Sequence, residues 1–379
     1  MPYKAFTYRY FSFALSLLAS CLLFVSGLQA SAENAETDDD HFNAGEMIME
    51  AIADAHEIHI IGDFAIYLPV ILYTNDGFDI FSSKHFYHPE KDTTNMEGLA
   101  REYTQELMRH KNYIMLHEHI YYANAEGGLD YDPETGAVLN EAPFDISITK
   151  NVAGMFLTGL IMILVFGSVA RAYKRKPGQA PKGLQSFMEP LILFVRDEVA
   201  IPSIGPKKAE RFMPFLLSIF FFIWIANMLG LIPFIGEYNV TGTIAITLVL
   251  AGLVFIITTF SGNRHYWGHI LWPAGVPILI KVIILVPVEI LGIFIKPTVL
   301  MIRLTANMTA GHIIILSLVS LIFIFGQNSA IVGYSVGLGS TLFMIFMYLI
   351  KFLVAFLQAY VFTLLAALYF GDAVQDAHH

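Results

Sequence analysis

The chain has 379 residues, 56% of them hydrophobic and 14% charged, with a mean hydropathy of +0.59, far more apolar than an average soluble protein; it reads as a polytopic membrane protein. Its formal charge of −10 hides an asymmetry, because residues 33–150 hold 24 acidic and 6 basic side chains while 8 acidic and 16 basic ones lie elsewhere, which implies two compartments. The single cysteine, Cys21, excludes an intrachain disulfide and a cysteine zinc site.

In chain order, Lys4 and Arg9 precede an apolar run from Phe11 to Leu28, and Ala30-Ser-Ala32 offers a small-residue cleavage pattern, so residues 1–32 read as a secretory signal. Leu18-Ala-Ser-Cys21 resembles a lipoprotein box only faintly, since the apolar run continues past Cys21. Residues 33–150 form an acidic, His-rich exported domain holding 8 of the 13 histidines. Turn signals at Asn75-Asp-Gly77, Glu126-Gly-Gly128 and Asp132-Pro133, with alternating runs such as Phe64-Ala-Ile-Tyr-Leu68, predict a small, partly stranded domain. His56-Glu-Ile-His59 and His117-Glu-His119 fit either a divalent metal or solvated surface, and the surface reading is preferred.

Residues 151–371 are expected to form an all-α transmembrane domain of five spans plus an interfacial helix. Val152–Ala170 is the first span. The segment from Arg171 to Arg211 carries nine Lys/Arg against four acids, which places it in the cytoplasm and the N-terminal domain outside. Leu184–Val199 is amphipathic and interrupted by charge, as suits a helix lying in the interface. Phe212–Gly236 crosses outward and Val240–Gly262 returns. Asn263 to Ile280, with two tryptophans, reads as an interfacial hairpin. Pro277 to Phe325 exceeds one straight span and is expected to form one long helix, tilted or broken. Gly326 to Ser340 is the predicted outer turn, Thr341 to Phe370 the last inward span, and residues 372–379 a short cytoplasmic tail.

The penultimate span carries the informative residues. From Leu304 to Ile350 there is no Asp, Glu, Lys or Arg, so Arg303 borders hydrocarbon-facing sequence, where a fixed charge costs roughly 2.5–3.5 kcal/mol. Arginine keeps its proton, so it cannot relay one; it can attract a carboxylate or repel cations, which describes an electrostatic gate. Glu289, Lys296 and Arg303 recur every seven residues and Asn307 follows one turn later, making a polar stripe about 27 Å long at 1.5 Å per residue. His312 lies about half a turn away in azimuth. Lys351 and Gln358 stand one heptad apart on the last span. Isolated polar groups in spans also snorkel or satisfy one another, but four on one stripe with a histidine beyond favour a function.

These residues resemble a known family, subunit a of F-type ATP synthases, over roughly residues 150–371. The likeness is carried by Gly183-Leu-Gln with Phe194-Val-Arg-Asp-Glu198, by Asn227-x-x-Gly-Leu-Ile-Pro233, by Arg303-Leu-x-x-Asn-Met-x-Ala-Gly-His312, and by Phe356-Leu-Gln-Ala-Tyr-Val-Phe362. The resemblance implies an ion-conducting stator subunit whose long helix hairpin faces a rotor ring. Arg303 would separate two aqueous half-channels, with Asn307, His312 and Gln358 lining the outward one and Glu289 the inward one. It implies as partners a ring of small two-helix subunits bearing a mid-membrane carboxylate, a peripheral-stalk subunit, indirectly the catalytic head, and membrane lipid, but no nucleic acid. A bacterial inner membrane, with the N-terminal domain periplasmic, is the expected place.

Two features depart from the family pattern. Members commonly pair a histidine with a carboxylate, in either order, at the positions of His312 and Lys351, and here the second is a lysine; the long acidic N-terminal domain is also not general. If His312 and Lys351 share a poorly solvated site, at least one is expected to be neutral; the alternative is that Lys351 snorkels. No cofactor or metal is expected, and the absence of a Gly-x-x-x-x-Gly-Lys-Ser/Thr loop assigns nucleotide chemistry to other subunits. The competing reading, a secondary transporter, calls for internal repeats of the helix pattern, and none is visible.

Overall fold

The computed structural model describes residues 44–61, 64–75, 77–87, 108–125, 127–132, 137–175, 179–232, 238–271, 278, 281–328 and 330–375. Residues 1–32, expected to be a secretory signal, lie outside them, as do Glu126 and Pro233. The chain divides into two compact units, one with the N-terminal part to Ala153 and the stretch Phe323–Gly333, the other with the remaining helical segments.

In the first unit, helix α1 (Ala44–Ile52) is followed by strands β1 (Glu57–Ile61), β2 (Phe64–Tyr67), β3 (Pro69–Thr74) and β4 (Gly77–Ser82) and a short helix α2 (Lys84–Tyr87). Strands β5 (Met108–His110), β6 (Tyr113–Leu116), β7 (His119–Tyr122) and β8 (Phe144–Asp145) complete it. All pairing is antiparallel, in sheets ordered β1-β2, β4-β3-β8 and β5-β6-β7. Strands β3 and β4 pair up to Thr74 and Gly77, on either side of the turn expected at Asn75-Asp-Gly77, of which Asp76 lies outside the described residues. Gly77 takes a φ of +114° that a side chain would resist. Alternation along β3 sends Val70 and Leu72 inward, where they pack with Phe86, Tyr113, Met115 and Ile120.

One expectation here needs correction. His59, His117 and His119 are exposed, but His56 is 1% exposed and so is not solvated surface. Its Nδ1 lies 3.2 Å from Glu118 Oε2, its Nε2 lies 3.7 Å from Asp145, and Tyr87 donates its hydroxyl to Glu118 at 3.0 Å. The reason is topological: the β6-β7 turn and β8 bring two carboxylates over the residue just before β1, and a buried imidazole needs partners. Among the described residues no group of three His, Cys, Asp or Glu side chains could hold a metal ion.

Among the described residues, five helices are long and apolar enough to cross a membrane. They are α3 (Lys150–Arg175), α6 (Pro206–Leu229), α7 (Ile244–Ser261), α9 (Val286–Asn328) and α10 (Ala330–Val374); a π-helical turn at Lys281–Leu285 leads into α9. Between α3 and α6 lies α4 (Leu184–Phe194), continued through a π-helical turn at Val195–Ala200 into α5 (Ile201–Ile204). Its amphipathic pattern is realised by buried Met188, Val195, Val199, Ala200 and Ile204 against exposed Arg196, Asp197 and Glu198. Of the predicted hairpin at 263–280, α8 (Arg264–Leu271) is described. The core of this unit gathers around α6, whose Leu216, Phe220, Phe221 and Ile223 are fully buried. The facing side of α10 is built from Ala359, Ala366 and Ala367, small residues that let helices approach where lipid supplies no hydrophobic drive.

The last two helices differ from the sequence reading in one respect. Residues 326–340 are not a turn: α9 runs to Asn328 and α10 begins at Ala330. Glycine and serine weaken an isolated helix, but packing of one helix against the other holds these residues helical. The glycines serve contact instead, since a Cβ on Gly333 would meet Gly326 Cα at 2.8 Å. At 43 and 45 residues, α9 and α10 are roughly 65 and 68 Å long, about twice a bilayer core, and α9 is unbroken despite Pro297.

Candidate functional site

Every residue singled out in the penultimate span lies on α9, and Lys351 and Gln358 lie on α10. One stripe of α9, Leu300, Leu304, Met308, Ile315 and Val319, is buried. The polar stripe runs beside it: Glu289 and Asn307 are half-buried, Lys296 and Arg303 exposed. Arg303 is thus held at the edge of the packed face and presented outward, flanked by exposed Ile295, Val299, Ile302, Ala306 and Ala310.

Contacts along the hairpin fix its antiparallel register. Lys296 Nζ sits 5.4 Å over the Tyr369 ring and 4.0 Å from Asp372, and a Cβ on Gly311 would meet Lys351 Cε at 2.8 Å. A Cβ on Gly337 would lie 3.7 Å from Ile322. Between the first two contacts, antiparallel counting sets Gln358 level with the Arg303–Asn307 turn. Lys351 is half-buried between the helices, next to the residue preceding His312, with its Nζ 6.0 Å from the Tyr348 ring. His312 is itself half-buried. Glu289 stands fourteen residues before Arg303, roughly 21 Å along the axis, so the candidate acid and the arginine are well separated.

The polar framework behind this hairpin was not singled out from sequence as site residues. Asn227 of α6 is fully buried; its amide donates to the Ala355 carbonyl of α10 at 3.4 Å and its carbonyl accepts from Thr241. Thr247 of α7 bonds Thr305 of α9 at 2.7 Å. Lys208 and Asn263 donate to the Val374 carbonyl at 2.6 and 3.1 Å, capping the end of α10. The signal available was an amide or hydroxyl within an uncharged span, where it needs a partner helix. A small cavity lined by Thr258, Tyr266, Lys296, Pro297 and Tyr369 lies on the Glu289 side of Arg303.

Chemically, the arrangement offers a permanent cation on an exposed helix face, neutral amides level with it, and a histidine and a lysine farther along. Such a set can bind and discharge a carboxylate and hand protons to water or amide chains.

Comparison with known proteins agrees in extent with the helical region. The family described as ATP synthase A chain matches residues 152–371. A second family, described as a domain of unknown function (DUF8433), matches residues 47–146. The chain is 45% identical over 239 residues to "ATP synthase subunit a" of Chloroherpeton thalassium, covering 62% of this chain and 69% of that one. It is likewise 45% identical over 248 residues to "ATP synthase subunit a 2" of Chlorobaculum tepidum, covering 63% and 67%. With "ATP synthase subunit a" of Myxococcus xanthus it shares 39% identity over 257 residues, covering 64% and 77%.

Proposed function

The chain belongs to the ATP synthase subunit a family, and on that premise we propose that Arg303 is the barrier between two offset half-channels. The protein is a multi-pass membrane protein and the ion-conducting stator subunit of an F-type ATP synthase. One observation carries the finer reading: α9 packs its buried stripe into the helical core and turns Arg303 outward among apolar side chains.

In this reading a ring carboxylate that meets Arg303 is held as an anion, because the guanidinium keeps its charge and cannot pass a proton on. The carboxylate therefore gives up its proton on one side and regains one on the other before it turns into lipid. Asn307, Gln358 and His312 serve the outward half-channel and Glu289 the inward one, matching their order along α9 and α10 on either side of Arg303. The driving field supplies about 2.3 kcal/mol per elementary charge per 100 mV. Partners follow from membership of the complex: a ring of small two-helix subunits, a peripheral stalk, and the catalytic head, which holds the nucleotide chemistry this chain lacks.

For topology we place residues 33–150 in the periplasm and the C-terminus in the cytoplasm of a bacterial inner membrane, from the basic residues that follow α3. Labelling of Gly339→Cys in a Cys21→Ser background tests it; impermeant reagent reaching it only from the cytoplasm overturns the topology. The gate is tested with Arg303→Ala in the reconstituted complex. ATP synthesis is expected to vanish while assembly persists, and synthesis near the wild-type rate would end the reading.

A further inference from the structure

Where α3 ends, its last two turns and the approach to α4 enclose a groove of about 380 Å³ lined by Ser168, Arg171, Arg175, Gln179, Lys182 and Gln185, with two alanines completing it. Three fixed cations, two amides and a hydroxyl meet there, and no acid is among the lining residues. Arg171 Nε donates to the Gly167 carbonyl at 3.0 Å, which holds that side chain along the helix.

The groove is the polar end of a longer surface. Ser168, Arg171 and Arg175 continue, in steps of three and four, a stripe that begins at Leu160 and Leu164, and residues so spaced share one helix face. Leu160 and Leu164 are 53% and 57% exposed, and α4 adds exposed Leu184 and Phe187 beside the cations. From Leu164 to Arg171 is about 10 Å along the axis. A ligand matching this surface has an anionic head and an apolar tail, and basic pockets at the ends of membrane helices suit lipid head groups.

We propose that this groove binds the phosphodiester of an anionic membrane phospholipid, with an acyl chain lying along Leu160 and Leu164. The inference rests on α3 spanning a membrane and is independent of the role of Arg303. It assigns the exposed arginines a ligand of their own, distinct from the ion path on α9.

The test is native mass spectrometry of the purified, delipidated ATP synthase complex containing this chain, titrated with phosphatidylglycerol, with phosphatidylcholine of the same acyl chains, or with inorganic phosphate. The wild type is expected to retain one more phosphatidylglycerol than Arg171→Gln/Arg175→Gln, whose affinity at that site falls at least about tenfold, as expected for the loss of two charge-assisted contacts. Leu164→Ala should weaken phosphatidylglycerol without changing the response to phosphate. Should the double variant fail to assemble, Lys182→Gln, which precedes α4, carries the same comparison with a fall of about threefold for one exposed contact. Equal phosphatidylglycerol retention in wild type and variant overturns the proposal, as does phosphatidylcholine bound equally tightly. Displacement of the lipid by an equal concentration of inorganic phosphate would reassign the groove to a free anion. Loss of another subunit from the variant complex with its lipid unchanged would reassign it to an acidic protein segment.

Discussion

Lys351 of α10 lays its methylene chain against Gly311 of α9, so closely that a Cβ on Gly311 would stand 2.8 Å from Lys351 Cε. The lysine therefore enters the hairpin beside His312 instead of reaching away from it. We expect Lys351→Glu to keep ion transport but shift its pH dependence, because a carboxylate and a histidine titrate as a coupled pair. His312→Ala should impair transport about tenfold or more, in the low part of the range for losing a proton-transfer group. Proton flux in vesicles across a pH series checks both; unchanged flux in His312→Ala removes that residue from the path.

Lysine should not replace Arg303. It keeps a positive charge but loses the planar fork that meets a carboxylate with two parallel hydrogen bonds, and its proton can leave when it is desolvated. Arg303→Lys is expected to retain at most about a tenth of wild-type ATP synthesis, given the non-equivalence of the two cations at bidentate sites. Rates from reconstituted complexes of equal subunit content decide it.

The His56 clamp makes the N-terminal domain sensitive to alkali. Burial alone would push the imidazole down, but Asp145 and Glu118 overcome it and raise His56 to about 9. The sign follows from linkage: a folded-state value above the unfolded one of 6.5 gives stability that is fully present below 6.5 and lost as pH rises through about 9. Glu118 and Asp145 are shifted the other way despite burial, by their bonds to His56, so their share fades in acid. His56→Ala should cost about 2–4 kcal/mol, discounted from the usual cost of breaking a buried pair because both carboxylates are partly exposed. Limited proteolysis of the full chain between pH 6 and 10 should show the wild-type domain opening near pH 9 and the variant insensitive there.

Two glycines of α10 should behave oppositely. A Cβ on Gly371 would collide with the Ser203 backbone carbonyl, which cannot retreat without moving α5, whereas nothing lies within 4 Å of a Cβ on Gly339. Gly371→Ala should sharply lower the yield of extracted, assembled chain and Gly339→Ala should leave it unchanged. Quantitative immunoblotting of membranes separates the two.

Asn227→Ala should destabilise the helical unit by about 1–3 kcal/mol, since it strips buried Thr241 and the Ala355 carbonyl of their shared partner. Thermal unfolding in detergent measures the loss, and a midpoint equal to wild type would show that water replaces the amide.

The spans were legible because hydrocarbon thickness and backbone satisfaction leave few choices: an apolar stretch such as Val152–Ala170 has to be a helix, and the structure extends it to Lys150–Arg175. Arg303 stands out in the sequence by its cost, and the structure exposes it beside the packed face of α9. The turn at residues 326–340 was misread because glycine carries two meanings, loop former and close approach between helices, and only the neighbouring helix distinguishes them. The burial of His56 was hidden for another reason. Its partner Glu118 lies 62 residues away, and nothing local in His56-Glu-Ile-His59 announces which strand will cover it. The same holds for Asn227 and Ala355, 128 residues apart.

From Val299 to Ala310 the exposed residues of α9 are Val299, Ile302, Arg303, Ala306 and Ala310, so Arg303 is the one exposed charged side chain there, with Lys296 and Thr298 one to two turns before it. A rotor passing such a surface finds no ladder of polar contacts to break at each step and no deep pocket in which a side chain could seat. Interlocking knobs would act as detents and convert the ion gradient into heat. On the proposed reading, a shallow aliphatic wall with one charged stop between Val299 and Ala310 would keep friction low and put most of the resistance where the proton must be exchanged.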